Sequence, residues 1–152
     1  MAEPSATLHV TVRDLRDAAD MRAVVAIRRQ VFVIEQGVAT SVEPDHVDRV
    51  AHHVLGLVDG HIAGVGRLHL TAGEGQIAWV AVLPEYRRLG VGRAIMRRLL
   101  ELADAAGARV VLLNAQTHAR RFYEHLGFRP VGDPFMMGGI EHQLMSRLRP
   151  EA

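Results

Sequence analysis

Cysteine is absent from this chain, which excludes a disulfide framework, a thiolate zinc site and a cysteine nucleophile. Lysine is absent too, so there is no phosphate loop of the kind that needs Lys followed by Ser or Thr. Serine occurs only at Ser5, Ser41 and Ser146, which leaves few side chains able to carry a covalent group. There are nine histidines, but none form a His-x-x-x-His pair with a Glu between them. The adjacent His52 and His53 would point to opposite faces of a strand, which spoils joint ligation. No metal is expected. No apolar run reaches the roughly eighteen residues of a membrane span, and the N-terminus lacks the basic and apolar regions of a secretion signal. The cytoplasm is therefore the default, with no membrane partner. A net charge of +1 is far from the excess of a general nucleic-acid binder, so no nucleic acid is expected either. What is present is a 49% hydrophobic fraction, enough for a single domain over residues 1–152 with a real core.

The organising stretch runs from Val80 to Arg98 and opens at the end of a strand. Ile77, Trp79, Val80, Ala81 and Val82 form a short apolar run of the kind buried in a sheet. Pro84 stops it, because it lacks the N–H for further pairing. Arg87 to Gly92 then read as a tight glycine-bearing turn, and from Val91 the apolar residues recur at helical spacing. Strand, glycine turn and helix aim several unpaired N–H groups at one point, which suits an anion such as phosphate. A dinucleotide fingerprint would need a third glycine at Ile95, so that reading fails.

Around this stretch, Leu8, Val10 and Val12 alternate as a first half-buried strand. Met21, Val24, Val25, Val31 and Phe32 fall at helical spacing, with Asp17 or Asp20 as cap and Gly37 as the stop. Residues 39–49 read as a polar loop carrying Glu43, Asp45, His46 and Asp48, acids that could line a site for a cationic acceptor. His53 to Val58 and Gly64 to Leu70 read as strands joined by a hairpin at Asp59-Gly60, and Gly73 to Gly75 make the next turn. The helix after the anion turn is expected to bury Val91, Ile95, Leu99, Leu102 and Ala106 and to stop at Gly107. Val110 to Leu113 read as a strand parallel to the organising one. Ala119, Phe122, Tyr123 and Leu126 then share a helix face, stopped by Gly127. Phe128 to Val131 and Glu141 to Arg147 close the chain as strands, flanking a Gly- and Met-rich connection.

Arg87-x-x-Gly90-x-Gly92, preceded by Val80-Ala81-Val82-x-Pro84, resembles the acetyl-coenzyme A pyrophosphate loop of the GNAT N-acetyltransferase superfamily. Gln116-x-x-Ala119-x-x-Phe122-Tyr123-x-x-Leu126-Gly127-Phe128 is similar to the later motif of that superfamily, in the right order and on the right elements. Arg28-x-x-Val31-Phe32-Val33-x-Glu35-Gln36-Gly37-Val38, Glu43-x-Asp45-x-x-Asp48-x-x-Ala51-x-His53, Leu113-Asn114-Ala115-Gln116 and Gly139-Ile140-x-His142-x-x-Met145 extend the likeness to the ElaA-like bacterial branch. The fold this implies is an α/β (α+β) GNAT fold. Its mixed, mostly antiparallel sheet has about six to seven strands, a splayed parallel pair at its centre and helices on both faces.

The resemblance implies acetyl-coenzyme A as cosubstrate, no metal, and a small-molecule or peptide amine as acceptor. Val80, Ala81 and Val82 would pair with the pantetheine arm. Arg87, Arg88, Leu89, Gly90, Val91, Gly92 and Arg93 would surround the pyrophosphate, and Phe122 and Tyr123 would lie by the thioester. Tyr123 would give a proton to the departing thiolate. Gln116 stands where the superfamily usually has Asn, so that contact moves to Asn114 or is lost. With no Cys and few Ser, direct attack by the amine in a ternary complex is the natural mechanism. Glu35, Glu43, Asp48, His53 and His142 are the candidates for taking the amine's proton, with Glu35 and His53 held above the others. A non-catalytic acyl-coenzyme A sensor of the same fold is the alternative. Oligomeric state stays open, a homodimer included.

Overall fold

The computed structural model describes residues 7–150. In chain order these form β1 (Val10–Asp14), α1 (Ala18–Arg28), a π-helical turn (Arg29–Glu35), β2 (His52–Val58), β3 (His61–Thr71), β4 (Glu74–Val82), a 3-10 turn (Pro84–Tyr86) and α2 (Val91–Ala105). There follow β5 (Val110–Gln116), a second 3-10 turn (Thr117–Ala119), α3 (Arg120–Glu124), β6 (Arg129–Pro130), β7 (Phe135–Met137) and β8 (Ile140–Leu148). The sheet order is β1-β2-β3-β4-β5-β8-β6, with β7 also on β8. Only β4 and β5 run parallel; the other pairs are antiparallel.

Local chemistry accounts for the boundaries. Asp17 accepts from the Asp20 N–H and caps α1. The helix widens into the π turn at Arg29, where the Gln36 N–H reaches back to the Val31 carbonyl, and Gly37 at φ +66 ends it. The Asp59-Gly60 hairpin has positive φ at both residues, as a type I′ turn requires. Strand β7 lies in the stretch read as a Gly- and Met-rich connection. It is three residues long and exposed throughout, so it carries no burial pattern to read.

Helices cover both faces. Helix α2 packs Val91, Ile95, Met96, Leu99, Leu100 and Ala103 onto Val54, Leu68, Ile77 and Val111. The expected Ala106 is exposed and Ala103 takes its place, because α2 ends at Ala105 and Ala106 lies beyond its last turn. Helix α1 packs Val24 and Ile27, and the π turn packs Val31, against Leu55, Leu57, Val65 and Ala81 on the other face. Burying each such side chain contributes ~1.5–3 kcal/mol before entropy is subtracted. Helix α2 sits very close to the sheet: a Cβ on Gly56 would lie 2.7 Å from Val91 Cγ1, and one on Gly66 2.8 Å from Ile95 Cγ2. Arg98 grips Asp14 through Nε and Nη2 at 3.0 and 2.8 Å, tying α2 to β1.

Candidate active site

The parallel pairing between β4 and β5 is short. It runs through Glu74, Gly75 and Gln76 against Val110, Val111 and Leu112, then stops. Strand β5 continues along β8 instead, as far as Gln116 opposite His142. On its other side β4 carries a bulge. Ala78 pairs with Arg67 and Ala81 with Val65, so Trp79 and Val80 together oppose Gly66, with Trp79 at φ +56. Bulge and splay leave a cleft of about 1130 Å³.

This cleft runs through the sheet. On the α2 face it is lined by Gly90, Gly92, Phe122 and Tyr123, and on the α1 face by Phe32, Glu35 and Val38. Gly90 caps α2 in the left-handed region, φ +88, and no side chain caps the helix. Arg88 is also left-handed, φ +65. The first-turn N–H groups of a 15-residue helix therefore point into the cleft mouth without a side-chain acceptor. A phosphate fits these donors, and Arg88 and Arg93 stand beside them.

Arg87 does not face that opening freely. Its Nη1 and Nη2 donate to both Glu35 oxygens at 2.6 Å each, and its Nε donates to the Val82 carbonyl at 3.0 Å. These bonds hold the Glu35 carboxyl below its ordinary value. Across the cleft, Gln116 Nε2 donates to Gln36 Oε1 at 2.8 Å. The longer side chain of Gln116 is thus directed at the end of the π turn. Tyr123 packs edge-on against Phe122 and Phe128. The residue as a whole is only half-buried, yet its ring sits among these aromatics, and desolvation pushes the phenol up to about 12. Among the described residues, its hydroxyl has no hydrogen-bond partner in the protein.

The residues singled out along β4, the turn, β5 and α3 line this cleft, with Leu89 the exception. Leu89 sits between the left-handed Arg88 and Gly90 and is exposed. Of the five groups considered for taking a proton, Glu35 and His142 line the cleft; Glu43, Asp48 and His53 do not. Glu43 pairs with Arg29 at 2.7 Å. Asp48 is buried, receiving Arg28 at 3.0 and 3.1 Å and Arg67 at 3.1 Å. Burial works against its ionised form, but the Arg28, Asp45 N–H and Arg67 bonds outweigh burial and hold it well below the carboxylate range. His53 Nε2 donates to the Asp48 carbonyl at 2.8 Å, its Nδ1 has no partner, and burial pushes its imidazole below the ordinary value. His53 is therefore a core histidine on β2, opposite Arg67 of β3, and the acids of residues 39–49 line no part of the cleft. Arg28 also lies 5.4 Å below the Trp79 ring, and Phe32 meets that ring edge-on.

A cleft between splayed parallel strands, with uncapped helix donors at its mouth, agrees with the family model for the acetyltransferase (GNAT) domain, which matches residues 18–149. The chain belongs to the GNAT acetyltransferase family. It is 36% identical over 123 residues to the uncharacterized N-acetyltransferase YjcF of Bacillus subtilis, 80% of this chain and 87% of that one. The crystal structure of Escherichia coli ElaA superposes with a TM-score of 0.81 at 26% identity, covering 91% of this chain and 99% of that one. An acyl-CoA N-acyltransferase from Pseudomonas aeruginosa superposes at 0.78 with 28% identity, over 93% and 99%. As a GNAT domain, the chain is an acyltransferase of the N-acetyltransferase type, and GNAT acetyltransferases draw on acyl-coenzyme A and act on amines.

Within that family frame, Phe32, Gln36, Trp79, Met137 and Ile140 are cleft residues not picked out as such from the sequence. Phe32, Gln36 and Ile140 stand inside the family-like motifs, so their signal was present but carried no role. Trp79 was read as strand core; only the bulge turns it to the cleft.

Proposed function

We propose that this protein transfers an acetyl group from acetyl-coenzyme A to a primary amine, by direct attack within a ternary complex. The observation that carries this is the splay of β4 from β5 beyond Gln76 and Leu112, with the Gly90–Gly92 turn at one side and an unpartnered Tyr123 hydroxyl within. The α2 N-terminus and Arg88 would hold the pyrophosphate, and the open backbone of Val80 to Val82 would align the pantetheine. Bound acetyl-coenzyme A supplies the activated thioester. The Val82 N–H would polarise its carbonyl, and Tyr123 would protonate the leaving sulfur.

Coenzyme A thiol release, measured while acetyl-coenzyme A and amine are both varied, tests the reading. Intersecting double-reciprocal lines are expected. Parallel lines, or an acetyl adduct on the protein in intact mass after incubation without amine, would overturn the ternary mechanism. Binding of acetyl-coenzyme A with no turnover of any amine would favour a sensor.

A further inference from the structure

Where the cleft opens on the α1 face, the π turn and the β7–β8 hairpin meet. A Cβ on Gly138 would lie 2.5 Å from the Val38 carbonyl oxygen, so the hairpin tip rests on the backbone after the π turn. The chamber between them is walled by Phe32, Val38, Trp79, Met137 and Ile140. Its only lining carboxylate among the described residues is Glu35, already neutralised by two bonds from Arg87. A second cationic centre on an acceptor would lose its water here without gaining a counter-charge. An apolar body would lose nothing.

His142 stands at the inner end of this chamber, opposite Gln116 on β5 and Phe135 on β7. His142 is 4% exposed, and its ring stacks on Phe135 at 5.9 Å. Nδ1 lies 2.8 Å from the Ile140 carbonyl, which can only accept, so Nδ1 carries a proton. In the neutral ring Nε2 then holds the lone pair. Nε2 has no hydrogen-bond partner among the described residues, and the side chain lines the cleft. The other groups considered for this task are committed elsewhere: Glu35 to Arg87, Glu43 to Arg29, Asp48 to Arg28, and His53 to the Asp48 carbonyl.

Resting on the acetyl-transfer reading above, we propose that this chamber takes a primary monoamine carried on an apolar or aromatic body, and that His142 Nε2 accepts the proton the amine gives up. The amine arrives as an ammonium and passes one proton to Nε2. Its nitrogen bonds to the thioester carbonyl carbon and the carbon–sulfur bond breaks. The nitrogen's second proton leaves to solvent, and the thiolate takes one from Tyr123, which solvent re-protonates. His142 returns its proton to water, so each turnover yields amide, thiol and one released proton.

The test uses the full chain with acetyl-coenzyme A and 2-phenylethylamine, hexylamine, spermidine or agmatine. The two apolar amines are expected to exceed the two polycations in kcat/KM by at least about ten-fold. In calorimetry against protein saturated with coenzyme A, they are expected to bind more tightly by a similar factor. Preference for spermidine or agmatine would overturn the acceptor class, as would acetyl-coenzyme A binding without turnover of either apolar amine. Failure of acetyl-coenzyme A itself to bind would instead overturn the donor reading. His142→Gln is expected to lower turnover of 2-phenylethylamine by about 100-fold, but that of trifluoroethylamine, already neutral at pH 7, by less than about ten-fold. His142→Asn, whose amide N–H can keep the Ile140 bond, serves if the Gln variant does not fold. Equal losses with both amines, or no loss, would overturn the base.

Discussion

Tyr123 shows how one side chain can be core and chemistry at once. Its ring fills the aromatic cluster with Phe122 and Phe128 while its hydroxyl finds no hydrogen-bond partner among the described residues. Burial moves the phenol from 10.0 to about 12, so it keeps a proton to give throughout the neutral range. Tyr123→Phe preserves the ring and its packing and removes only the donor. Turnover is expected to fall by about ten-fold or more, at the low edge of general acid catalysis because water can also protonate the thiolate. Acetyl-coenzyme A affinity and thermal stability are expected to change little. Unaltered turnover in the folded variant would return Tyr123 to a packing role. The same phenol bears on stability at high pH. Its folded pKa exceeds its unfolded one, so the contribution is complete below about 10 and is lost as pH rises toward 12.

At the scale of elements, the turn between β4 and α2 depends on Gly90. At φ +88 and ψ 11 a side chain is strained by ~1–2 kcal/mol, although a Cβ there would touch nothing within 4 Å. Gly90→Ala therefore leaves the fold unclashed but drives the turn toward negative φ, rotating the first N–H groups of α2 away from their shared focus. Calorimetry is expected to show acetyl-coenzyme A affinity lower by about ten-fold or more, with circular dichroism unchanged. Full affinity in a folded Gly90→Ala protein would remove this turn from the donor site. The π turn works differently. Its widened register carries Glu35 to Arg87 and so ties α1 to the loop that precedes α2.

On the scale of the whole molecule, the buried Arg28–Asp48–Arg67 network braces the cleft from below, with Arg28 under Trp79. Asp48→Ala would leave Arg28 buried without its partner, at a cost of ~3–5 kcal/mol. Urea unfolding measures this, and a loss below 1 kcal/mol, on the order of an exposed ion pair, would contradict the bracing role. Acid should act through the same kind of pairing. Asp14, Glu35 and Asp48 are held below their ordinary values by arginine, and Asp20, bonded by Arg13 and the Arg16 N–H, sits at about 2. Each pKa is lower folded than unfolded, so the stability these groups contribute together is present above about pH 4.5 and is progressively lost as pH falls toward 2. The urea midpoint is expected to drop between pH 4.5 and pH 3, and a constant midpoint would contradict it.

By itself the sequence determined the family, the order of the elements other than β7 and the π turn, and the β4–turn–α2 unit. All of these rest on short-range signals: periodicity in β4 and α2, glycine at positive φ, Pro84 ending a strand, and motif spacing across the Gly90–Gly92 and Phe122–Gly127 stretches. Side-chain partners across the fold were decided only by tertiary structure. Asp48 and His53 read as candidate site groups because polar residues in a loop and at a strand start look solvated, and nothing local says that Arg28, 20 residues away, reaches Asp48. Glu35 reads as a free carboxylate until Arg87, 52 residues on, closes over it. Trp79 looks like strand interior because a bulge is a mismatch between two strands and leaves no mark on either one alone. His142 became distinct from the other histidines only once β5 and β7 set it beside the cleft and the Ile140 carbonyl fixed the proton on Nδ1.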